Sequence, residues 1–169
     1  MLLHLAEAYG AAAEFSLAHP HSPFGVIEVT DGCTGCGMCA AACPTGALAL
    51  TPSLFPELGE GKGGWRGRGE GGISLTFDAA LCTACGQCLP RCPEAENGVL
   101  HLQRTTDLQR LPQGRVSLYR DRNRRCEACG APIAPEAMLR RIRAMLGDEY
   151  APTLSVITRY CPDCRRLLG

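Results

Sequence analysis

Short apolar runs alternate with cysteine, glycine and proline through the first hundred residues of the chain. The runs with the length and residue content of β-strands are 25–29 (GVIEV), 47–50 (ALAL), 73–77 (ISLTF) and 99–102 (VLHL). Strands this short, with helical segments outside them, predict an α+β fold.

Two segments show helical spacing of apolar residues. The first covers residues 2–18 and is broken by the sequence HPHSP at 19–23, so residues 1–23 are expected to form an N-terminal helix and linker. The second covers about residues 135–146. Between the second and third predicted strands, residues 59–72 are rich in glycine and predict a mobile loop.

A cysteine-containing segment occurs twice. Residues 33–44 read CTGCGMCAAACP and residues 82–93 read CTACGQCLPRCP, with identity at seven of twelve positions. A predicted strand stands before and after each copy. The repeat therefore predicts a pseudo-two-fold unit with one metal cluster near each end.

The spacing within each copy is C-x2-C-x2-C-x3-C-P. Three thiolates separated by two residues can wrap a tight loop around three corners of an iron–sulfur cube, and the proline stops the short helix that carries the fourth. Gly35, Gly37 and Gly86 let the backbone approach closely. Disulfides or zinc are the alternatives, but neither accounts for a repeated 2-2-3 spacing that ends in proline.

Residues 24–103 resemble a bacterial-type ferredoxin with two 4Fe–4S clusters. The resemblance implies a small dicluster domain made of two short antiparallel ribbons, with a small helix after each cysteine run. The resemblance implies that the fourth cysteine of each run binds the other run's cluster. Cluster 1 would take Cys33, Cys36, Cys39 and Cys92, and cluster 2 would take Cys82, Cys85, Cys88 and Cys43. The gap between the runs is longer than in compact family members, and the glycine-rich loop at 59–72 accounts for the excess.

Four further cysteines lie near the C-terminus, as Cys126-x2-Cys129 and Cys161-x2-Cys164. Residues 126–169 resemble a zinc ribbon, in which four thiolates hold a structural Zn²⁺ tetrahedrally. A rubredoxin-like iron site is the redox alternative, and a third iron–sulfur cluster would lack the three-cysteine loop. The helix between the pairs is expected to pack against this site through its apolar residues, Met138, Leu139, Ile142, Met145 and Leu146.

Charge is distributed unevenly although the net charge is zero. Residues 1–99 contain 4 Lys/Arg and 10 Asp/Glu, whereas residues 100–169 contain 13 Arg and 7 Asp/Glu. Residues 104–125 form an arginine-rich connector between the two metal-binding modules. Because aromatic residues for base stacking are scarce there, a solvated face or a patch for an acidic partner is favoured over nucleic acid.

Other sequence features exclude several classes of protein. The pattern GxGxxG at 59–64 lacks a surrounding βαβ unit and is no dinucleotide site. No catalytic triad, paired-carboxylate site or phosphate loop is visible, so no small-molecule substrate is expected. The chain has no apolar stretch long enough for a membrane span and no basic n-region, and it is expected to be cytoplasmic.

The function expected from these features is electron transfer through two 4Fe–4S clusters between redox protein partners. The helix and ribbon beyond the ferredoxin-like part favour a subunit, or a C-terminal piece, of a multisubunit oxidoreductase of the formate dehydrogenase or hydrogenase type. The alternative is a regulatory or nucleic-acid-binding protein whose clusters are structural or sensory.

Overall fold

The computed structural model describes residues 15–54 and 71–167, together with His4, Ala8 and Gly10. The chain divides into two compact units. The first consists of Met1–Cys33, Gly37–Leu50 and Leu75–Tyr119, and the second of Thr34–Cys36, Thr51–Ser74 and Arg120–Gly169. Three strands, described below, contribute residues to both.

A three-stranded antiparallel sheet lies within the first unit. Its strands are β1 (Ser16–Ala18), β2 (Gly25–Val29) and β5 (Leu100–Asp107), in the order β1-β5-β2. β2 and β5 pair from Gly25 opposite Arg104 to Val29 opposite Leu100. β2 therefore has the predicted bounds, and the strand predicted at 99–102 extends to Asp107.

β1 corrects the expectation of a continuous helix over residues 2–18. Ser16 pairs with Asp107 in the ladder, and its hydroxyl lies 3.3 Å from that of Thr105. Edge pairing to β5 therefore determines the conformation of residues 16–18, which local apolar spacing does not reveal. His4 and Ala8 are helical, and the rest of the predicted helix before Phe15 lies outside the described residues, apart from a turn at Gly10.

The second sheet contains β3 (Leu48–Leu54), β4 (Gly71–Asp78), β6 (Arg115–Arg125) and β7 (Pro132–Pro135), in the order β3-β4-β6-β7. The Thr76 hydroxyl donates to the Ala49 carbonyl at 3.1 Å. The strands predicted at 47–50 and 73–77 are both longer in the structure, as β3 and β4. Gly71 and Gly72 were predicted to belong to the loop, but they begin β4. The remainder of the predicted loop, 59–70, lies outside the described residues.

The arginine-rich connector contains strand β6 rather than irregular chain. Arg115, at its start, donates to the carbonyls of Gly46 at 2.8 Å and Ala47 at 3.3 Å. These carbonyls lie just after the first cysteine run, so this arginine anchors the chain within the first unit. At the other end of the strand, Arg125 donates to the Gly130 carbonyl at 2.9 Å.

Apolar side chains from β2, β3, β4 and β5 form the core of the first unit. Ile27, Leu75 and Phe77 are the largest of them and are at most 2% exposed. Each such side chain contributes about 1.5–3 kcal/mol on burial. Cys39 and Cys88 belong to this core, and Cys33, Cys43, Cys82 and Cys92 pack against it. Six of the eight cysteines of the repeat are therefore fixed by the same apolar packing.

A short helix, α1 (Met38–Ala41), lies in the first unit. The described part of the second unit contains three α-helices, which are α2 (Glu136–Leu146), α3 (Ala151–Arg159) and α4 (Pro162–Arg165). α2 agrees with the helix predicted at 135–146 and ends at Gly147, whose φ is +69°. α3 was not expected from sequence, although Pro152 in its first turn is a helix-start signal and Leu154 and Thr158 form its buried face.

The end of α2 does not pack as expected. Met145 is 67% exposed and Leu146 is 43% exposed, so the end of the helix does not cover a core. The expectation relied on apolar identity alone, whereas the helix ends in solvent beyond Ile142. Among helices in the described ranges, none has the length and apolar character needed to span a membrane.

Asp121 provides a test of how α2 is positioned. Its carboxylate accepts the Ala137 backbone N–H at 2.8 Å and the Arg122 N–H at 2.8 Å, capping the first turn of the helix from strand β6. We expect Asp121→Ala to lower the free energy of unfolding of the second unit by about 1 kcal/mol. Asp121→Asn keeps an acceptor and should lose less. Equal losses in the two variants, measured by denaturant unfolding, would contradict the cap.

Candidate iron–sulfur and metal sites

The two cysteine runs follow the same backbone path. In the first, Gly35 and Gly37 have φ of +65° and +76°, and helix α1 (Met38–Ala41) begins directly afterwards. In the second, the matching residues Ala84 and Gly86 have φ of +51° and +76°. Two left-handed residues per loop permit the tight turn that the predicted binding of one cluster by three successive cysteines requires.

The use of Gly35 in one copy and Ala84 in the other has a steric cause. A Cβ at Gly35 would lie 2.6 Å from Cδ1 of Ile73 and 3.5 Å from Cβ of Pro135. Ala84 has room for its methyl group although its φ is positive. Both positions are buried, but the flanking Thr34 is buried and the matching Thr83 is exposed. The tip of the first loop is therefore covered within the second unit, whereas the tip of the second loop is open.

A cavity in the first unit brings together cysteines from both runs. Together with the open solvent at its mouth it contains about 320 Å³, and it is lined by Cys43 of the first run and by Cys82, Cys85 and Cys88 of the second. Ile27, Phe77 and Leu102 supply apolar wall. These four thiols are the set that the ferredoxin resemblance assigns to cluster 2.

The electrostatics of this cavity reflect the same proximity. Burial raises the pKa of Cys82, and the neighbouring thiolates of Cys43 and Cys85 raise it further. Burial also raises the pKa of Cys88, with Cys82 and Cys43 adding to the shift. Thiolates this close repel one another in an apolar surrounding, and a bound cationic centre relieves that repulsion.

The pKa of Cys43 is lowered rather than raised, because its sulfur accepts hydrogen bonds. Burial opposes ionisation, but the backbone N–H of Leu48 at 3.4 Å and the Thr45 hydroxyl at 3.7 Å outweigh it and lower the pKa of Cys43. N–H groups directed at a ligand sulfur stabilise negative charge on it and tune a cluster's potential. The donor set and its surroundings therefore fit a 4Fe–4S cluster.

The four cysteines predicted to bind cluster 1 do not all belong to the same unit. Cys39 lies in the core of the first unit, and Cys33 and Cys92 pack against the same core. Cys36 is half-buried and belongs to the segment Thr34–Cys36 of the second unit. The ligand set Cys33, Cys36, Cys39 and Cys92 stays a prediction.

The C-terminal cysteines form one tight group. The sulfurs of Cys126, Cys129, Cys161 and Cys164 all lie within 4.8 Å of one another, and those of Cys129 and Cys161 are 3.6 Å apart. Thiolates bound tetrahedrally at about 2.3 Å from Zn²⁺ lie about 3.8 Å from one another. The group therefore fits a single metal ion, while a cubane cluster would hold its ligand sulfurs farther apart.

Two tight turns hold these sulfurs. In the first, the Gly130 N–H donates to the Cys126 carbonyl at 2.8 Å, with Gly130 at a φ of +74°. In the second, Cys161 precedes α4 and its carbonyl accepts the Arg165 N–H at 3.0 Å. The backbone N–H of Cys161 is the main cause that lowers the pKa of Cys126 to about 6. Hydrogen bonding with Cys129 and Cys161 raises the pKa of Cys164 to about 12.

An ion pair that sequence reasoning missed links the two turns. Arg159 donates from Nε at 2.8 Å and Nη2 at 2.6 Å to one carboxylate oxygen of Glu127, while the Glu127 N–H donates to the Arg159 carbonyl at 2.9 Å. The hydrogen bond from Arg159 lowers the pKa of the Glu127 carboxyl. The residues lie one and two positions from cysteines, but nothing local in sequence pairs them.

The family comparison agrees with the geometry of the repeat. Residues 32–96, which contain both cysteine runs, match the sequence model of the 4Fe-4S dicluster domain. This segment is thus a small iron–sulfur domain, of a class that suggests electron transfer. Residues 97–169 lie outside the match. No curated protein matches the chain.

Gly37 and Gly86 occupy equivalent places in the repeat and share a φ of +76°. An added Cβ would lie 2.9 Å from Cδ2 of Leu50 at Gly37 but would meet nothing within 4 Å at Gly86. We expect Gly86→Ala to cost about 1 kcal/mol from backbone strain alone, and Gly37→Ala to cost more. Denaturant unfolding of the cluster-loaded variants measures the difference. Equal losses would mean that Leu50 moves aside without cost.

Proposed function

We propose that this chain carries single electrons between protein partners through two 4Fe–4S clusters. One would be bound by Cys33, Cys36, Cys39 and Cys92, and the other by Cys82, Cys85, Cys88 and Cys43. The observation that carries the proposal is the cavity in which Cys43 joins the three cysteines of the second run between apolar walls. The match of residues 32–96 to the dicluster family supports it.

When bound, a 4Fe–4S cluster accepts and releases one electron at a time. The residues around the cavity determine how readily that occurs. Ile27 and Phe77 keep water from the sulfurs, which disfavours added negative charge, whereas the Leu48 N–H donates to Cys43 and favours it. The balance of these two effects sets the reduction potential.

The exposed second loop is where a redox partner would approach. Thr83 and Cys85 are exposed, and no charged residue occurs between Cys82 and Pro90. Electron tunnelling falls steeply with distance, so an uncovered ligand loop favours exchange with a partner. A neutral docking surface would let the partner's shape, rather than its charge, determine the fit.

The C-terminal cysteines are proposed to hold a structural Zn²⁺. Support comes from the four sulfurs within 4.8 Å of one another and from the Glu127–Arg159 ion pair that joins the two turns. Metal binding at such a site contributes directly to the folding free energy. The alternative occupant is iron, which would add a redox step.

The wider setting we propose is a multisubunit oxidoreductase in the cytoplasm, of the formate dehydrogenase or hydrogenase type. A freely diffusing carrier needs only the dicluster domain, and here a further folded unit follows it. The nucleic-acid alternative is not favoured. Arg110, Arg115 and Arg125 of the connector all bind acceptors within the chain, at Asp107, Gly46 and Gly130.

Exchange of Cys43 tests the crossed ligation. We expect Cys43→Ser to perturb the cluster of the second run, and Cys92→Ser, its counterpart, to perturb that of the first. Parent protein prepared without oxygen should contain roughly eight iron and eight sulfide per chain. Electron paramagnetic resonance of the reduced variants distinguishes the clusters. If each variant altered the cluster of its own run, the pairing would be uncrossed, and absence of labile sulfide would refute electron transfer itself.

Removal of a C-terminal thiol tests the structural metal. We expect Cys126→Ala or Cys161→Ala to abolish about one bound zinc per chain and to unfold the ribbon region, because the metal supplies its folding energy. The visible absorption of the clusters should change little. Metal analysis together with hydrogen exchange measures both effects. Iron in the parent site, with a redox step lost in the variants, would reverse the assignment to zinc.

A further inference from the structure

A second cavity lies wholly within the second unit and has no part in holding metal. It has a volume of about 200 Å³ and is open to solvent, and its lining residues are Arg124, Glu136, Leu139, Arg140, Arg143 and Thr158. Strand β6, helix α2 and helix α3 each contribute. Three guanidinium groups face one carboxylate there, which leaves a formal excess of two positive charges.

The contribution of α2 is a stripe at helical spacing. Residues 136, 139, 140 and 143 are separated by three, one and three positions, which places them on one side of the helix. The stripe reads Glu, Leu, Arg, Arg, and both of its arginines are exposed. Their charges are hydrated, and an anion that enters the cleft can contact more than one guanidinium group at once.

Arg143 is held in place within this cleft. Its Nη2 donates to the Thr158 hydroxyl at 2.8 Å, and Thr158, only 2% exposed, donates in turn to the Leu154 carbonyl at 2.7 Å. The guanidinium therefore loses little conformational freedom when it binds a ligand. Arg140 is exposed, and its side chain makes no hydrogen bond or ion pair with any described residue, so its donors are available.

We propose that this cleft binds a phosphoryl group. Guanidinium forks recognise phosphate and carboxylate oxygens with paired hydrogen bonds, but a phosphoryl group carries about −1.5 to −2 charge at neutral pH and matches the excess of positive charge. A single carboxylate neutralises only half of it. The cavity is larger than inorganic phosphate, so a phosphorylated small molecule has room. The site is independent of the two clusters and of electron transfer.

Calorimetric titration of the full, metal-loaded chain tests the proposal at constant ionic strength. The probes are inorganic phosphate, ribose 5-phosphate, adenosine 5′-monophosphate and acetate. We expect saturable binding of the phosphoryl compounds and none of acetate. Arg140→Gln should weaken binding about tenfold, as expected for loss of a charge-assisted contact. Arg141→Gln changes a neighbouring exposed arginine outside the cavity and should leave the affinity unchanged.

The comparison between probes identifies the source of the phosphoryl group. Tighter binding of adenosine monophosphate than of ribose phosphate supports a nucleotide ligand, and equal affinity of all three supports free phosphate. Arg143→Gln serves as a second variant, with metal content and thermal unfolding verifying its fold. The proposal is overturned if phosphate shows no saturable heat at millimolar concentration, if acetate binds equally well, or if Arg141→Gln weakens binding as much as Arg140→Gln.

Discussion

The first unit depends on the close approach of Cys43 to the cysteines of the second run. Cys43 belongs to one copy of the repeat by sequence but lines a cavity with Cys82, Cys85 and Cys88 of the other. To reach it, the chain leaves the first run, turns at Gly46 and enters β3, where the Leu48 N–H donates to the Cys43 sulfur. The Asp78 N–H then bonds to the Ala47 carbonyl, which fixes β4, the strand that leads into the second run.

The cysteines proposed as cluster ligands are also part of the apolar core. Cys39 and Cys88 are core residues, and four further cysteines of the repeat pack on the same apolar side chains. A small domain has limited apolar surface to bury, so cysteines that serve both as core residues and as proposed ligands reduce the amount of core that it needs. Replacement of one of these cysteines is therefore expected to remove packing as well as a proposed ligand.

The two copies of the repeat have diverged in exposure rather than in backbone path. Both loops use two left-handed residues, but Gly35 lies against Ile73 and Pro135 where Ala84 has space for a methyl group. The first loop is covered by β4 and β7, and the second stays open at Thr83 and Cys85. The arginines of residues 100–169 serve different purposes. Arg115 in the first unit and Arg159 in the second bond to other groups of the chain, whereas Arg124, Arg140 and Arg143 line the cleft beside α2.

The sequence alone determined the features whose cause is local. The cysteine spacing predicted an iron–sulfur domain, strand 25–29 was predicted with its observed bounds, and the helix at 135–146 is observed as Glu136–Leu146. Each depends on residue identity within one turn or one strand. The strand at 16–18, the capping of α2 by Asp121, the Glu127–Arg159 ion pair and the arginine cleft were decided only by tertiary structure. Each of these features joins segments that are far apart in the chain. The free energy that stabilises them comes from the pairing and packing of those segments, which cannot be predicted from a local sequence pattern.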